Sequence, residues 1–248
     1  MDRTLPGRPA DSEDLEDKHS HYREIVFAGS STGFLCRWTH RVGGGAQRVI
    51  PDNHADFIVS STGRSWLVGP ATTVDLPALS PGTVLHGARI HTAALRSVTG
   101  VAGSELRDTA MAVDDLLPGR VARALVGSLG AGEFDELTAH SLWPCLTVDP
   151  RVEKAVELLT AATTTVDTVA DRVALTPRHL RRLVEQETGL TPKTLQVVGR
   201  LQRAVRLARR APDATLSMVA VAAGYADQAH LSRDTRRMTG LTPGSLLG

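Results

Sequence analysis

The pattern of apolar and polar positions changes character near residue 148. Between residues 22 and 90, short apolar runs are separated by Gly, Pro, Ser and Asn, the punctuation of strands and turns. Phe57-Ile58-Val59 and Trp66-Leu67-Val68 flank a Ser/Gly-rich turn and predict a hairpin, with Gly69-Pro70 as its stop. Residues 74–76 and 84–90, on either side of Pro81-Gly82, predict two more strands. Residues 92–99 predict a short helix ended by Gly100, and 121–129, after Pro118-Gly119, a second. The expectation is a small β domain, sandwich or barrel, over 21–130, followed by a linker over 131–147 with some helix in it. Segment 1–20 has almost nothing apolar to bury and an acidic run at 11–17, so it reads as a disordered tail.

From 148 onward the period is helical. Asp149-Pro150 is a cap followed by a first-turn proline, and Val152, Val156 and Leu159 recur at helical spacing. Residues 166–173 predict a short helix. Thr176-Pro177 starts another, which Gly189 ends. Thr191-Pro192 starts a long helix to about residue 210, apolar at Leu195, Val198, Leu201, Val205 and Ala208, and stopped by Ala211-Pro212-Asp213. Gly199 reads as its weak point, costing about 1 kcal/mol relative to Ala in an exposed helix interior. Residues 216–222 and 227–239 form a further helix pair with Gly224 at the turn. The fold class is therefore α+β, an N-terminal β domain and an all-α domain over 148–248.

Composition changes this picture in one respect. The 248 residues carry 28 Lys and Arg against 27 Asp and Glu, close to neutrality, which argues against nucleic acid for a uniform chain. The chain is not uniform: 148–248 holds roughly five excess positive charges and the rest roughly four excess negative ones. No apolar run is long enough to span a bilayer and no export leader is visible, so the expectation is a cytoplasmic protein with no membrane partner. Cys36 and Cys145 lie far apart without a CxxC partner and read as reduced thiols.

The basic region contains a repeat. TPRHLRRLVEQETGLTPKTL, from Thr176 to Leu195, aligns with DQAHLSRDTRRMTGLTPGSL, from Asp227 to Leu246. His179 falls on His230, Leu180 on Leu231, Arg182 on Arg233, and TGLTP on TGLTP. Each copy follows a short apolar segment. Short helix, turn and longer helix make a helix-turn-helix, whose second helix enters the DNA major groove. The long helix between the copies spans roughly 30 Å, and one turn of DNA is roughly 34 Å, so one chain can present two reading helices to successive grooves. Arg178, Arg181 and Arg182 in the first helix suit guanine. Gln228, with Ser232 and Arg233, offers the second helix a pairing with adenine. Lys193, Arg200, Arg203, Arg236 and Arg237 are expected at phosphates.

These residues resemble the DNA-binding domain of the AraC/XylS family of bacterial transcription regulators. The likeness rests on Ala170, Leu180 with Arg182, Gly189-Leu190-Thr191-Pro192, and Arg200 with Ala204. In the second copy it rests on Ala220, the run from Gly224 to Gln228, Leu231-Ser232-Arg233 and Gly240-Leu241-Thr242-Pro243. It covers about two-fifths of the chain. It implies seven helices in two subdomains and base-facing places at Arg178, Arg181, Arg182, Gln228, Ala229, Ser232 and Arg233. Thr235 and Thr239 depart from the family's aromatic or apolar residues, and the closing helix after Pro243 is cut short. Both departures are expected to loosen the second copy.

Upstream, the strings from Pro51 to Asp56, Val68-Gly69-Pro70 and Gly87 to Ile90 look like an uncharacterised, cupin-like β domain that often precedes AraC-type domains. His40, His54, His86 and His91 do not form the HxH pair of metal cupins, so no metal and no cofactor is expected. Asp52 with Asp56 is a candidate acid/base pair, with caps or solvated carboxylates as the simpler reading. Trp38, Trp66 and Trp143 suit either a pocket wall or the core. The chain reads as a transcription regulator, not an enzyme, binding double-stranded DNA and controlled by a ligand or partner on its N-terminal sensor or oligomerisation domain. The alternatives are an N-terminal domain that serves only as an interaction or dimerisation module, and an enzyme fused to a DNA-binding domain. Candidate further partners of the chain are RNA polymerase, a small-molecule effector and a second copy of itself.

Overall fold

Burial alternates with a period of two along His54–Ser60 (β3) and along Phe34–Arg41 (β2), where a bulge between Phe34 and Cys36 moves the buried residues from one face of the sheet to the other. Val84–His91 (β5) alternates likewise, with an added buried residue at Gly87–Ala88. The computed structural model describes residues 21–27, 33–44, 47–161 and 164–247, so the expected tail over 1–20 lies outside the described residues. With His21–Val26 (β1), Ser65–Val68 (β4) and Ala110–Ala112 (β6), these strands form one six-stranded antiparallel sheet in the order β1-β2-β5-β3-β4-β6. The small β domain is thus a single sheet, and no pairing joins its edges β1 and β6 among the described residues. The predicted hairpin is β3–β4, closed by Ser60 N–H donating to Arg64 O at 2.8 Å. The strand expected over 74–76 is reduced to one bridge between Val49 and Asp75.

One face of the sheet is covered by helices. After the 3-10 turn Thr92–Ala94 come Leu95–Thr99 (α1), Gly103–Leu106 (α2), Val113–Leu116 (α3), Gly119–Gly130 (α4) and Glu136–Leu142 (α5). Helix α4 turns Ala122, Leu125 and Leu129 inward. Phe34, Phe57 and Phe134 fill the centre, all with 0% exposure, and the rings of Phe34 and Phe134 lie 5.1 Å apart. The expected linker over 131–147 supplies part of this core. Phe134 and Ala139 are fully buried, Trp143 donates its indole N–H to Val98 O at 3.0 Å, and Arg37 reaches Gly132 O and Phe134 O. That stretch packs through two large aromatic side chains, Phe134 and Trp143, whose spacing follows neither the helix nor the strand period.

The other face carries Trp38, which lies against Gly87 so closely that any Cβ there would overlap the indole. Asp56 accepts from Trp38 Nε1 at 2.7 Å and from Arg89 Nε at 3.3 Å, and Asp52 lies 3.3 Å from Arg89 Nη2. Burial alone would raise the Asp52 carboxyl, but the Arg89 guanidinium and His54 outweigh it and hold it well below the usual carboxylate range. The two aspartates are therefore committed to Arg89 as structural ion pairs. Trp143 belongs to the core, and half-buried Trp66 lies under the Arg64 guanidinium at 5.5 Å.

Seven helices follow among the described residues: Pro150–Ala161 (α6), Val166–Arg172 (α7), Pro177–Thr188 (α8), Pro192–Arg210 (α9), Leu216–Ala223 (α10), Gln228–Thr239 (α11) and Pro243–Leu247 (α12). Proline sits in the first turn of α8 and α9, where its missing N–H costs nothing. Around the first half of α9, Val152, Val156, Leu159, Val169, Leu180, Val184 and Leu195 form one core, which also takes Ala93 from the N-terminal side. Around its second half, Ala204, Ala208, Val219, Ala220, Tyr225 and Leu231 form another. The short α12 still seals a third cluster, burying Leu246 beside Val198, Leu201, Val205 and Met238.

Gly199 is not the exposed weak point that its position in the sequence suggests. It is buried where α6 crosses α9, and a Cβ there would lie 2.8 Å from Thr160 O and 3.0 Å from Thr160 Cα. Glycine lets the two backbones touch. Gly199→Ala is therefore expected to destabilise the protein by about 1–3 kcal/mol, despite the better helix propensity of alanine. Denaturant unfolding of the two proteins measures this, and a more stable alanine variant would contradict the close crossing.

Candidate nucleic-acid interface

The two units are built alike down to their caps. Thr165 and Thr215 begin the first helices, α7 and α10, and accept from Thr168 N–H at 3.1 Å and Met218 N–H at 3.3 Å. Thr176 and Asp227 begin the second helices, α8 and α11, and accept from His179 N–H at 3.2 Å and His230 N–H at 2.6 Å. Gly189 and Gly240 end them in the left-handed region, at φ 77° and 70°. Just before each glycine a buried threonine closes the helix. Thr188 Oγ1 donates to Val184 O at 2.7 Å and accepts from Leu190 N–H at 3.1 Å. Thr239 Oγ1 donates to Thr235 O at 2.7 Å and accepts from Leu241 N–H at 3.1 Å. Thr239 is thus a cap repeated from the first copy, not a hole in the core; the doubled TGLTP string carried that signal.

Capped at both ends and buried along one stripe, each second helix presents the other stripe to solvent. On α8, Leu180 and Val184 are buried while Arg178, Arg181 and Arg182 are exposed. On α11, Leu231 and Met238 are buried, Gln228, Ala229 and Arg233 are exposed, and Ser232 is half-buried. Gln228 Oε1 accepts from Ser217 Oγ at 3.0 Å, which pins the side chain over the turn. All the expected base-reading positions therefore lie at the N-terminal or middle turns of two helices joined by one continuous helix. At 1.5 Å per residue, the 19 residues of α9 span roughly 28 Å.

Two of the expected phosphate contacts are used inside the domain instead. Arg200 lies over the Tyr225 ring at 5.3 Å and 3.6 Å from Asp234 Oδ2, with 12% of its side chain exposed. Arg203 donates from Nη1 to Ala223 O at 2.7 Å and from Nη2 to Thr160 O at 2.8 Å. Burial, and the positive Arg200 beside it, lower its pKa from the ordinary value. Arg200 is thus covered by Tyr225 and Asp234 of the second unit, and Arg203 is held by the carbonyls at the ends of α6 and α10. Lys193 and Arg236 remain exposed, and Arg237, 63% exposed, also pairs with Asp234 at 2.9 Å.

Asp234 is a residue of this interface that the helical pattern alone does not mark. It is 9% exposed and faces Arg200, Arg237 and the His230 ring, whose Nε2 lies 3.6 Å away. His230 packs edge-on to Tyr225 at 5.1 Å. The second unit thus adds a buried polar cluster to its apolar core, at places where the first unit has Leu183 and Val184 for Asp234 and Thr235. Its signal in the sequence was an aspartate beside Thr235 on the inward stripe of α11. No three His, Cys, Asp or Glu side chains among the described residues are grouped to hold a metal ion. No helix among the described residues is long and apolar enough to cross a membrane.

Residues 169–248 match the family model described as a helix-turn-helix domain. The HTH-type transcriptional activator RhaS of Escherichia fergusonii is 39% identical over 77 residues, covering 31% of this chain and 27% of that protein. The match thus spans about a quarter of the length of that curated relative. Among solved structures, a transcriptional regulator with an AraC-type DNA-binding domain from Chromobacterium violaceum is 28% identical, covers 38% of this chain and 87% of its own, and superposes with a TM-score of 0.36. ToxT from Vibrio cholerae is 10% identical over 92% of this chain and 98% of its own, with a TM-score of 0.44. The C-terminal region is a helix-turn-helix domain of the AraC type, as its residues implied.

Thr235 occupies the place of Val184 in the first unit; it is fully buried and its hydroxyl has no hydrogen-bond partner. An unpaired buried hydroxyl costs about 1–3 kcal/mol. Thr235→Val, which keeps the shape and removes that hydroxyl, is expected to raise the melting temperature. Thr235→Phe is expected to lower it, because the position is filled. Calorimetry of both variants checks the pair of signs.

Proposed function

We propose that this protein is a bacterial, cytoplasmic, sequence-specific DNA-binding transcription regulator. The observation that carries the reading is the pair of solvent-facing helices α8 and α11, equivalently capped and held on one continuous helix within one chain. Such a chain reads two half-sites without needing a dimer. Arg178, Arg181 and Arg182 are the proposed guanine readers of the first half-site, and Gln228, Ala229, Ser232 and Arg233 the readers of the second. Lys193, Arg236 and Arg237 are the proposed phosphate contacts, and the positive excess of the C-terminal region supports all of these assignments. The RhaS relative is named a transcriptional activator, and catalysis is no part of the reading.

The N-terminal domain is proposed to regulate by shifting the population of DNA-competent chains. Its helix-covered interior is filled by Phe34, Phe57, Phe134 and Trp143, which favours control through a macromolecular partner such as RNA polymerase or a second copy. A small-molecule effector would have to bind elsewhere on the domain.

Selection of sites from randomised duplexes by the full chain is the test, and failure to enrich any sequence would overturn the reading. Affinity for the selected site is expected to fall steeply with salt. Lys193→Ala should reduce the slope of log K against log salt by about one unit without altering base preference. Arg182→Ala is expected to cost about 1–3 kcal/mol on the selected site and to relax one base position. Arg233→Ala should cost less and act more evenly across sequences, because its helix rests partly on a polar cluster. A sharp loss of base preference in Arg233→Ala alone would reverse that ranking.

A further inference from the structure

The N-terminal domain meets the DNA-reading domain at specific, repeated places. At the end of α8, Arg107 Nη1 lies 3.1 Å from Glu185 Oε1 and 3.4 Å from Gly189 O, and Arg96 pairs with Glu187 at 2.8 Å. Gly103 and Gly189 meet backbone to backbone, and a Cβ on Gly103 would overlap the Gly189 amide nitrogen. At the end of α11, Arg48 Nη1 donates to Thr239 O at 2.6 Å, and Val74 N–H donates to Met238 O at 2.7 Å. Thr188-Gly189 and Thr239-Gly240 are the same place in the two copies of the repeat. Arginine suits both, because the last carbonyls of a helix lack intrahelical donors and carry partial negative charge.

Between these two grips the same domain holds the connecting helix. Asn53, in the left-handed region at φ 65° and 7% exposed, donates from Nδ2 to Leu195 O at 3.2 Å. Gln202 Nε2, also buried, donates to Pro51 O at 2.6 Å. The three holds belong to one piece of the sheet. Arg48, Pro51 and Asn53 lie on the segment that leads into β3, and the turn and helices that meet α8 follow β5. β3 and β5 are neighbours, with His54 opposite His91 at their joined ends.

We propose that this end of the sheet is a brace that sets the distance and angle between the two reading helices, with Arg48, Asn53 and Arg107 as positioning residues for DNA recognition. The proposal rests on the DNA-reading function stated above. α9 alone fixes the separation of the units along one axis but leaves their rotation about it to α9's own packing. Bonds to the far ends of both α8 and α11 and to α9 between them fix three points of one rigid body. A chain braced in this way accepts one spacing of half-sites and rejects its neighbours.

The experiment takes the full chain and the site it selects from randomised duplexes, then lengthens or shortens the space between the half-sites by one or two base pairs. Wild type is expected to lose affinity about tenfold per base pair of displacement, the scale of one mismatched position. Arg48→Ala is expected to flatten that dependence to about threefold or less, with base preference inside each half-site unchanged. Arg48→Lys, which keeps a donor for Thr239 O, should restore the sharp dependence. Asn53→Ala, reporting through α9, should flatten it as well and serves if Arg48→Ala does not fold. A folded Arg48→Ala or Asn53→Ala protein with the wild-type spacing profile overturns the brace while leaving the DNA-reading function intact. A wild-type chain that selects no duplex overturns the function on which the brace rests.

Discussion

Four carbonyl groups at the end of any helix have no partner within it, and in this protein that shortage governs how the domains join. α8 and α11 each end in a threonine hydroxyl, a left-handed glycine and an arginine brought from the other domain. The first two devices are local and are written in the repeat. The third is not. It makes the closure of each reading helix depend on residues more than 80 positions away in sequence for Arg107, and more than 190 for Arg48.

The C-terminal half was legible because its signals are local. Thr-Pro starts and Gly stops lie within a few residues of what they cap, and the duplication offers each element a second copy for comparison. Its arginines were harder. Whether a guanidinium faces solvent or a partner within the domain depends on which distant element packs beside it, so Arg200 and Arg203 read as exposed in the helix pattern but are engaged by Asp234, Thr160 and Ala223 in the fold. Gly199 misled for the same reason, since the chain that crosses it comes from α6.

The N-terminal half was legible strand by strand but not in its connections. Alternation identifies β3, β4 and β5 and leaves their order open. The segment over 131–147 looked like a linker because Phe134, Ala139 and Trp143 are spaced too irregularly to register as an element, yet they close the core. The string from Pro51 to Asp56 stood out in the sequence as part of a domain resemblance, with Asp52 and Asp56 as a candidate acid/base pair. In the fold its residues divide between two jobs: Asp52 and Asp56 hold Arg89 inside the sheet, while Pro51 and Asn53 hold α9 outside it.

The meeting of Gly103 with Gly189 bears on how such chains can be recombined. Helix-turn-helix domains are commonly thought of as portable units that can be attached to unrelated partners. Here the junction is cut to backbone thickness on both sides, and Ala93 from the upstream domain is counted in the downstream core. A different upstream domain spliced on at residue 148 would present side chains where this one presents none, and would leave Leu180 and its neighbours short of one wall. A transplant of the downstream helices that kept this junction would have to carry residues 91–107 along with the helices they touch.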